Sequence, residues 1–340
     1  MFKIKNTIAV AAGKGGVGKS TVAVNLALAL KQQGSRVGLL DADVYGPSIV
    51  HMLSKGIWPA QDPQDPNRIL PGLSLGLKYI STAHFRNEQE GALVRAPIAN
   101  SIISQFLHQV NWEELDYLII DFPPGTGDIQ LTLLQQATLS GAIVVTTPQE
   151  ISLLDVRKCM QLFQKLQVPL LGVIENMSFF VNPVTQEKHF PFSSGGGKRL
   201  AEEFGIPLLG QLPIDELLSR SADLGESIFS APNTIASTFM GLAQEIDTLL
   251  IDPEKEIKNI QQGDTHFTIE WEDGAITSYS YQELQKQCPC ASCQNQSHLN
   301  LAVSATGISY VGRYGLKIGF TSGCTKGIYS LAFLRKWIRE

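Results

Sequence analysis

The chain has 340 residues, of which 44% are apolar and 17% charged, and a net charge of −5. That length suggests roughly two domains with a real core, and the acidic balance argues against a broad nucleic-acid footprint. No apolar run approaches the ~20 residues that span a bilayer, and no secretory leader is visible, so the expected location is the cytoplasm, with cysteines reduced or metal-bound.

Residues 7–12 form an apolar run that reads as a buried strand, and 21–33, rich in Ala and Leu, read as a helix. Between them lies Gly13-Lys14-Gly15-Gly16-Val17-Gly18-Lys19-Ser20-Thr21. Strand, glycine loop and helix make the setting of a phosphate-binding loop. Its glycines let successive backbone N–H groups turn inward, and the helix N-terminus adds partial positive charge. Lys19 is then expected on the β- and γ-phosphates of ATP, and the Ser20 hydroxyl on Mg²⁺. The whole stretch from Gly13 to Thr21 is the expected nucleotide cradle.

Lys14 sharpens this reading. The loop resembles the deviant Walker A of the MinD, ParA, nitrogenase iron protein and Mrp group, in which the second loop residue is a signature lysine. The resemblance implies a homodimer in which Lys14 crosses to the partner's nucleotide. It also implies slow, switch-like ATP hydrolysis.

A strand over 36–40 ends at Asp41-Ala42-Asp43. Carboxylates at the carboxyl end of a strand stand where α/β sheets bind ligands. The resemblance places Asp41 near the Mg²⁺ and makes Asp43 the orienting group for the attacking water. Residues 51–72 read as loop, 73–82 as one strand, and 100–110 as a helix with Ile102, Ile103, Phe106 and Leu107 on one face. His84 and His108 have no partners at ligand spacing and read as ordinary histidines.

Tyr117-Leu118-Ile119-Ile120-Asp121 is an apolar strand ending in an acid, the Walker B form in which Asp121 helps hold Mg²⁺. The following Pro123-Pro124-Gly125-Thr126-Gly127-Asp128 resembles the switch II of the Mrp branch. A strand over 142–147 and a helix over 152–166 come next, with Cys159 as a small core residue. A strand over 170–174 leads to Glu175-Asn176-Met177-Ser178, where the resemblance assigns Asn176 to the adenine.

Alternating strands and helices from residue 6 to about 250 imply an α/β, doubly wound, mostly parallel sheet. The Mrp resemblance covers nearly this whole span and implies iron–sulfur cluster binding or transfer to apoproteins or scaffold proteins. Mrp-type carriers usually hold a bridging [4Fe–4S] cluster through Cys-x-x-Cys after this segment. Here Asn182 and Thr185 stand at those positions. An ATP-gated dimeric adaptor that carries no cluster is therefore the alternative function.

The chain turns charged and polar over 251–262, which places a boundary at 252/253 between an ATPase domain and a small C-terminal domain. Phe267, Ile269 and Trp271 alternate, and Asp273-Gly274 marks a hairpin turn. A short helix over 281–287, strands over 308–311 and 316–320, and a helix over 329–339 complete the small α+β unit. Four of five cysteines fall in it: Cys288, Cys290, Cys293 and Cys324. Three thiolates in Cys-x-Cys-x-x-Cys with a distant fourth have the stoichiometry of a structural zinc site, and an iron–sulfur cluster or unligated thiols are the other options. The unit resembles the N-terminal zinc domain of gamma-butyrobetaine hydroxylase, with Cys324 where that family has histidine. The last helix puts Leu331, Leu334 and Ile338 on one side, expected to pack on its own domain rather than on a membrane.

Overall fold

The computed structural model describes residues 3–85, 96–250, 257–288, 303–311, 315–322, 324 and 327–336. The chain divides into two units, Met1–Gln244 and Glu245–Glu340.

The first unit is built on nine strands in one sheet. Its centre is β1 (Lys3–Ala12), flanked by β7 (Glu114–Asp121) and β8 (Gly141–Thr146). Beyond β7 lie β2 (Val37–Asp41), β6 (Leu77–Ser81) and β5 (Gly72–Ser74). Beyond β8 lies β9 (Leu170–Val181), which pairs with both β10 (Lys188–His189) and β11 (Leu208–Pro213). Pairing is parallel except for β5 and β10, at the two extremes. Ile8 to Ala12 and Ala142 to Val145 are wholly buried, which is why these central strands are continuous apolar runs rather than alternating ones.

Helices cover the sheet: α1 (Lys19–Gln32), the short α2 (Ile49–Met52), α3 (Ala96–Gln109), α4 (Asp128–Gln136), α5 (Glu150–Lys165), α6 (Gly196–Phe204), α7 (Glu216–Leu224) and α8 (Thr234–Leu249). Phe106, Trp112, Phe122 and Phe163 are large core side chains, each burial stabilising by roughly 1.5–3 kcal/mol against exposure. No helix among the described residues is long and apolar enough to cross a membrane.

The structure corrects three readings in this unit. Residues 73–82 are not one strand. Leu75 and Gly76 both take positive φ, 49° and 74°, and close an antiparallel β5–β6 hairpin. A two-residue turn of that hand matches the twist of the flanking strands, and Leu75 masks it because leucine seldom signals a turn. The stretch 51–72 is not all loop: it holds the end of α2 and a small pair, β3 (Ala60–Gln61) with β4 (Ile69–Leu70). The strand at 170–174 continues to Val181, because pairing with β11 and then β10 carries it past the polar Glu175-Asn176-Met177-Ser178 segment.

The second unit holds two antiparallel three-stranded sheets. One is β12 (Ile257–Gln262), β13 (His266–Trp271) and β14 (Ile276–Ser280), and the other β15 (Ala305–Val311), β16 (Gly315–Phe320) and β17 (Gly327–Ser330). Two short helices, α9 (Tyr281–Lys286) and α10 (Leu331–Lys336), join them. Phe267, Ile269 and Trp271 share a core with Tyr279, Leu316, Ile318 and Tyr329. Gly274 has φ 83° and turns the β13–β14 hairpin as its Asp-Gly sequence requires.

One addition and one correction fall here. The polar stretch 251–262 ends in a strand, β12, anchored by the buried Ile257. The last helix begins at Leu331, not Tyr329, because 327–330 pair with β16. Leu331 and Leu334 are buried in this unit's own core, and Ile338 lies outside the described residues.

Candidate functional site

The loop 13–18 leaves the carboxyl end of β1 and enters α1 at Lys19, with Gly18 as the cap at φ 81°. Two glycines are required by contact. A Cβ on Gly13 would stand 2.3 Å from the backbone of Asp155 in α5, and one on Gly18 would stand 2.1 Å from the Asn176 amide nitrogen. Both distances are far inside van der Waals contact, so the loop is wedged between α5 and β9.

Lys14, Gly15, Gly16, Gly18, Lys19, Ser20, Thr21 and Asp43 line one cavity of about 230 Å³. No neighbour approaches the positions where Gly15 and Gly16 would carry a Cβ, so backbone N–H groups there can meet a phosphate directly. Gly13 and Val17 are buried within the loop's base. Gly46 and Ser48 from the loop after β2, Pro124 from the segment resembling switch II, and Met52, which sequence reasoning missed, complete the lining.

Asp121, fully buried at the end of β7, receives the Lys19 ammonium at 2.5 Å and the Ser20 hydroxyl at 2.6 Å. These are the three groups that the loop and strand motifs predict for a Mg-nucleotide, now joined across 102 residues of sequence. Asp41 is also fully buried and pairs in register with Asp121 between adjacent strands. Burial and the neighbouring Asp121 carboxylate push Asp41 up to about 7. Burial likewise raises Asp121, with the Lys19 ammonium pulling the other way. The hard oxygen donors of Asp41, Asp121 and Ser20 fit Mg²⁺.

Asp41 also organises the loop after β2. Its Oδ1 accepts the backbone N–H of Asp43 at 3.1 Å, and Asp43 Oδ1 accepts that of Gly46 at 3.1 Å. Its Oδ2 accepts the Ser81 hydroxyl at 2.8 Å. Ser81 was missed, although it ends β6 just as Asp41 ends β2, and the strand-end rule that found Asp41 would have found it.

The Asn176 side chain donates to the Val17 carbonyl at 2.9 Å, so it touches the nucleotide loop from β9. Its neighbour Glu175 is a buried carboxylate that accepts from Ser178 Oγ at 2.6 Å and from Gln211 Nε2 at 2.7 Å. Lys14 is half-buried on the cavity wall and makes no ion pair among the described residues. In the segment resembling switch II, the buried Gln130 holds the Pro123 carbonyl at 2.6 Å, and Gly125 donates to the Ala12 carbonyl.

In the second unit Cys288 Sγ lies 3.7 Å from Cys324 Sγ, across 36 residues of sequence. A disulfide would bring the sulfurs to about 2.05 Å. Two corners of a tetrahedron with metal–sulfur bonds of ~2.3 Å stand about 3.8 Å apart. Cys290 and Cys293 lie outside the described residues.

A glycine loop at the carboxyl end of a central parallel strand, with lysine and serine converging on a buried strand-end aspartate, defines a P-loop NTPase. The family model of the NUBPL iron-transfer P-loop NTPase matches residues 3–247, and the chain belongs to that family. A second model, the gamma-butyrobetaine hydroxylase-like N-terminal domain, matches 258–335.

Proteins named iron–sulfur cluster carrier protein are similar to it. That of Haemophilus influenzae is 46% identical over 249 residues, 73% of this chain and 67% of the relative. That of Escherichia coli K12 is 44% identical over 232 residues, 68% of this chain and 63% of the relative. The chain thus spans about two thirds of the length of these relatives. Among solved structures, an Archaeoglobus fulgidus nucleotide-binding protein in complex with ADP is 37% identical, with TM-score 0.58, covering 68% of this chain and 94% of that one. The Pyrococcus horikoshii septum site-determining protein MinD, complexed with Mg-ADP, has TM-score 0.51 at 21% identity, covering 71% and 96%, and shares the fold.

Proposed function

We propose that the chain is a Mg-ATP-dependent ATPase of iron–sulfur cluster assembly, which binds clusters or transfers them to apoproteins. The observation that carries the ATPase reading is the convergence of Lys19 and Ser20 on Asp121 beneath the glycine loop. The cluster role is supported by family membership and by the names of the relatives. Lys19 and the loop amides hold the phosphates, while Ser20 and Asp121 hold Mg²⁺, which supplies charge neutralisation at the γ-phosphate. Asp41 stands behind that pair, Asp43 orients the attacking water, and Asn176 exchanges the Val17 carbonyl for the base. Catalysis of this kind rests on positioning and charge rather than on a covalent intermediate.

The working unit in this reading is a cytoplasmic homodimer in which Lys14 reaches the partner's nucleotide, with slow, switch-like turnover. The functional division falls at 252/253. The four thiolates of Cys288, Cys290, Cys293 and Cys324 hold a zinc ion that staples the small domain; the spacing of Cys288 and Cys324 supports this. A domain under ~90 residues has a thin core, so a metal adds stability that packing alone does not supply.

The test has two arms on the purified full chain: phosphate release from Mg-ATP, and activation of an apo iron–sulfur protein in the presence of iron and sulfide. Turnover with activation is expected. Absence of turnover would refute the ATPase reading. Turnover without activation would favour an ATP-gated adaptor, the reading that the thiol-less Asn182 and Thr185 recommend.

A further inference from the structure

The five cysteines of the chain divide sharply. Residues 3–247 contain only Cys159. It sits in α5 beside Val156, Met160 and Phe163, fully buried, and burial pushes its thiol up to about 12. A protonated thiol sealed in an apolar core neither coordinates iron nor meets it.

The β9–β10 hairpin, where the resemblance expects cluster thiolates, is built for another purpose. Asn182 Oδ1 accepts the backbone N–H of Val184 at 2.9 Å and of Thr185 at 3.2 Å. The Asn182 backbone N–H donates to the Glu187 carbonyl at 2.9 Å, and Gln186 donates back to the Asn182 carbonyl at 2.9 Å. Gln186 takes φ 60° to complete the reversal. Asn182 therefore spends its side-chain acceptor on closing the turn. A carboxamide and a hydroxyl are hard, neutral donors, whereas iron–sulfur clusters are held by thiolates and at most by imidazoles. His189 is the single imidazole of the hairpin and is exposed. Among the described residues no group of three or more His, Cys, Asp or Glu side chains gathers to hold a metal. By contrast, Cys288 and Cys324 of the second unit bring their sulfurs within 3.7 Å.

We infer that the ATPase unit of this chain holds no iron–sulfur cluster, that its β9–β10 hairpin is a hydrogen-bonded turn rather than a ligand site, and that thiolate-held metal is confined to the Cys288–Cys324 site. The inference rests on the proposed function only for the nature of the cargo. Nucleotide chemistry and thiolate chemistry then reside in different units of one chain, whereas the resemblance expects both in the first.

The experiment is anaerobic reconstitution of the full chain, first stripped of zinc with a chelator, with ferrous iron and sulfide. After removal of excess reagent, iron and sulfide per chain and the visible charge-transfer absorbance are measured. The Asn182→Ala Thr185→Ala variant is expected to match the wild type. The Cys288→Ser Cys324→Ser variant is expected to lose all retained iron, while its Mg-ATP affinity certifies that the first unit is folded. Adding Asn182→Cys and Thr185→Cys to that variant is expected to restore iron binding. Iron and sulfide retained at the wild-type level by the Cys288→Ser Cys324→Ser variant, or lost from the Asn182→Ala Thr185→Ala variant, would overturn the inference. Wild-type protein that takes up no iron while binding Mg-ATP would uphold it and sink the cluster-binding part of the proposed function, so the two failures are distinct.

Discussion

Asp41 and Asp121 stand in register at the carboxyl ends of two adjacent parallel strands, both fully buried. Like charges so placed repel, and one ammonium, from Lys19, lies against Asp121 at 2.5 Å. The arrangement is stable only if the excess negative charge is protonated or met by a cation.

Lys19→Ala is expected to weaken Mg-ATP binding by roughly tenfold to a hundredfold, the range for losing one charge-assisted hydrogen bond. It also strips Asp121 of its buried partner, and breaking a buried pair from one side costs about 3–5 kcal/mol. The nucleotide-free variant should therefore melt earlier, and added Mg²⁺ should recover part of the loss. Titration with a fluorescent ATP analogue and calorimetric melting with and without Mg²⁺ check both effects. Wild-type affinity would contradict the assignment of the loop.

Lys14 separates binding from turnover. It lines the cavity without an ion pair among the described residues, so its removal leaves no buried charge behind. Lys14→Ala is expected to retain ATP affinity within a few-fold, to lose ATP-dependent dimerisation, and to hydrolyse at least tenfold more slowly, a barrier change of about 1.4 kcal/mol. Light scattering with and without ATP, beside phosphate release, measures the outcome. A variant that dimerises and turns over normally would remove the trans-acting role.

Ser81 is a positioning residue for Asp41 and, through it, for Asp43. Ser81→Ala leaves Asp41 Oδ2 without the hydroxyl that it accepts in a fully buried place, at a cost of about 1–3 kcal/mol. The expected kinetic signature is a higher Mg²⁺ requirement and lower kcat with little change in ATP affinity, and Ser81→Thr should restore the Mg²⁺ requirement and kcat. Denaturant unfolding and a Mg²⁺ titration of the rate provide the readouts. If Ser81→Ala loses stability alone, the hydroxyl serves only the fold.

His84 offers a pH readout apart from the nucleotide loop. It packs edge-on against Trp58 and Tyr79, with ring centroids 5.1 Å away in each case. Burial lowers its pKa below the ordinary 6.5. The folded state therefore prefers neutral imidazole. Stability from this site is fully present above the ordinary value and declines as pH falls below it towards the folded value. The wild-type minus His84→Gln difference in tryptophan fluorescence should show a single step below pH 6.5, where the imidazolium forms beside Trp58. A step above that value would contradict the burial argument.

Much of this was legible in the residues alone. Local chemistry fixes the glycine loop, because only a strand–glycine–helix passage turns successive amides towards one point. Patterning likewise identifies β1, β7 and β8 as central, since strands covered on both faces must be apolar throughout. The alternation of Phe267, Ile269 and Trp271 and the Asp273-Gly274 turn are equally local. The β5–β6 hairpin was not legible, because leucine at positive φ is tolerated only when neighbouring strands hold it there.

Proximity across long separations belongs to the tertiary structure. That Asp41 meets Ser81, that Asn176 reaches Val17 and that Cys288 lies beside Cys324 follow from strand order and packing, which bring together residues far apart in the chain. The sequence could state that thiolates are missing at Asn182 and Thr185. Only the folded hairpin decides that an amide oxygen there already belongs to a turn. Short-range composition dictates which groups are available; the free energy of burying a whole sheet dictates which of them come together.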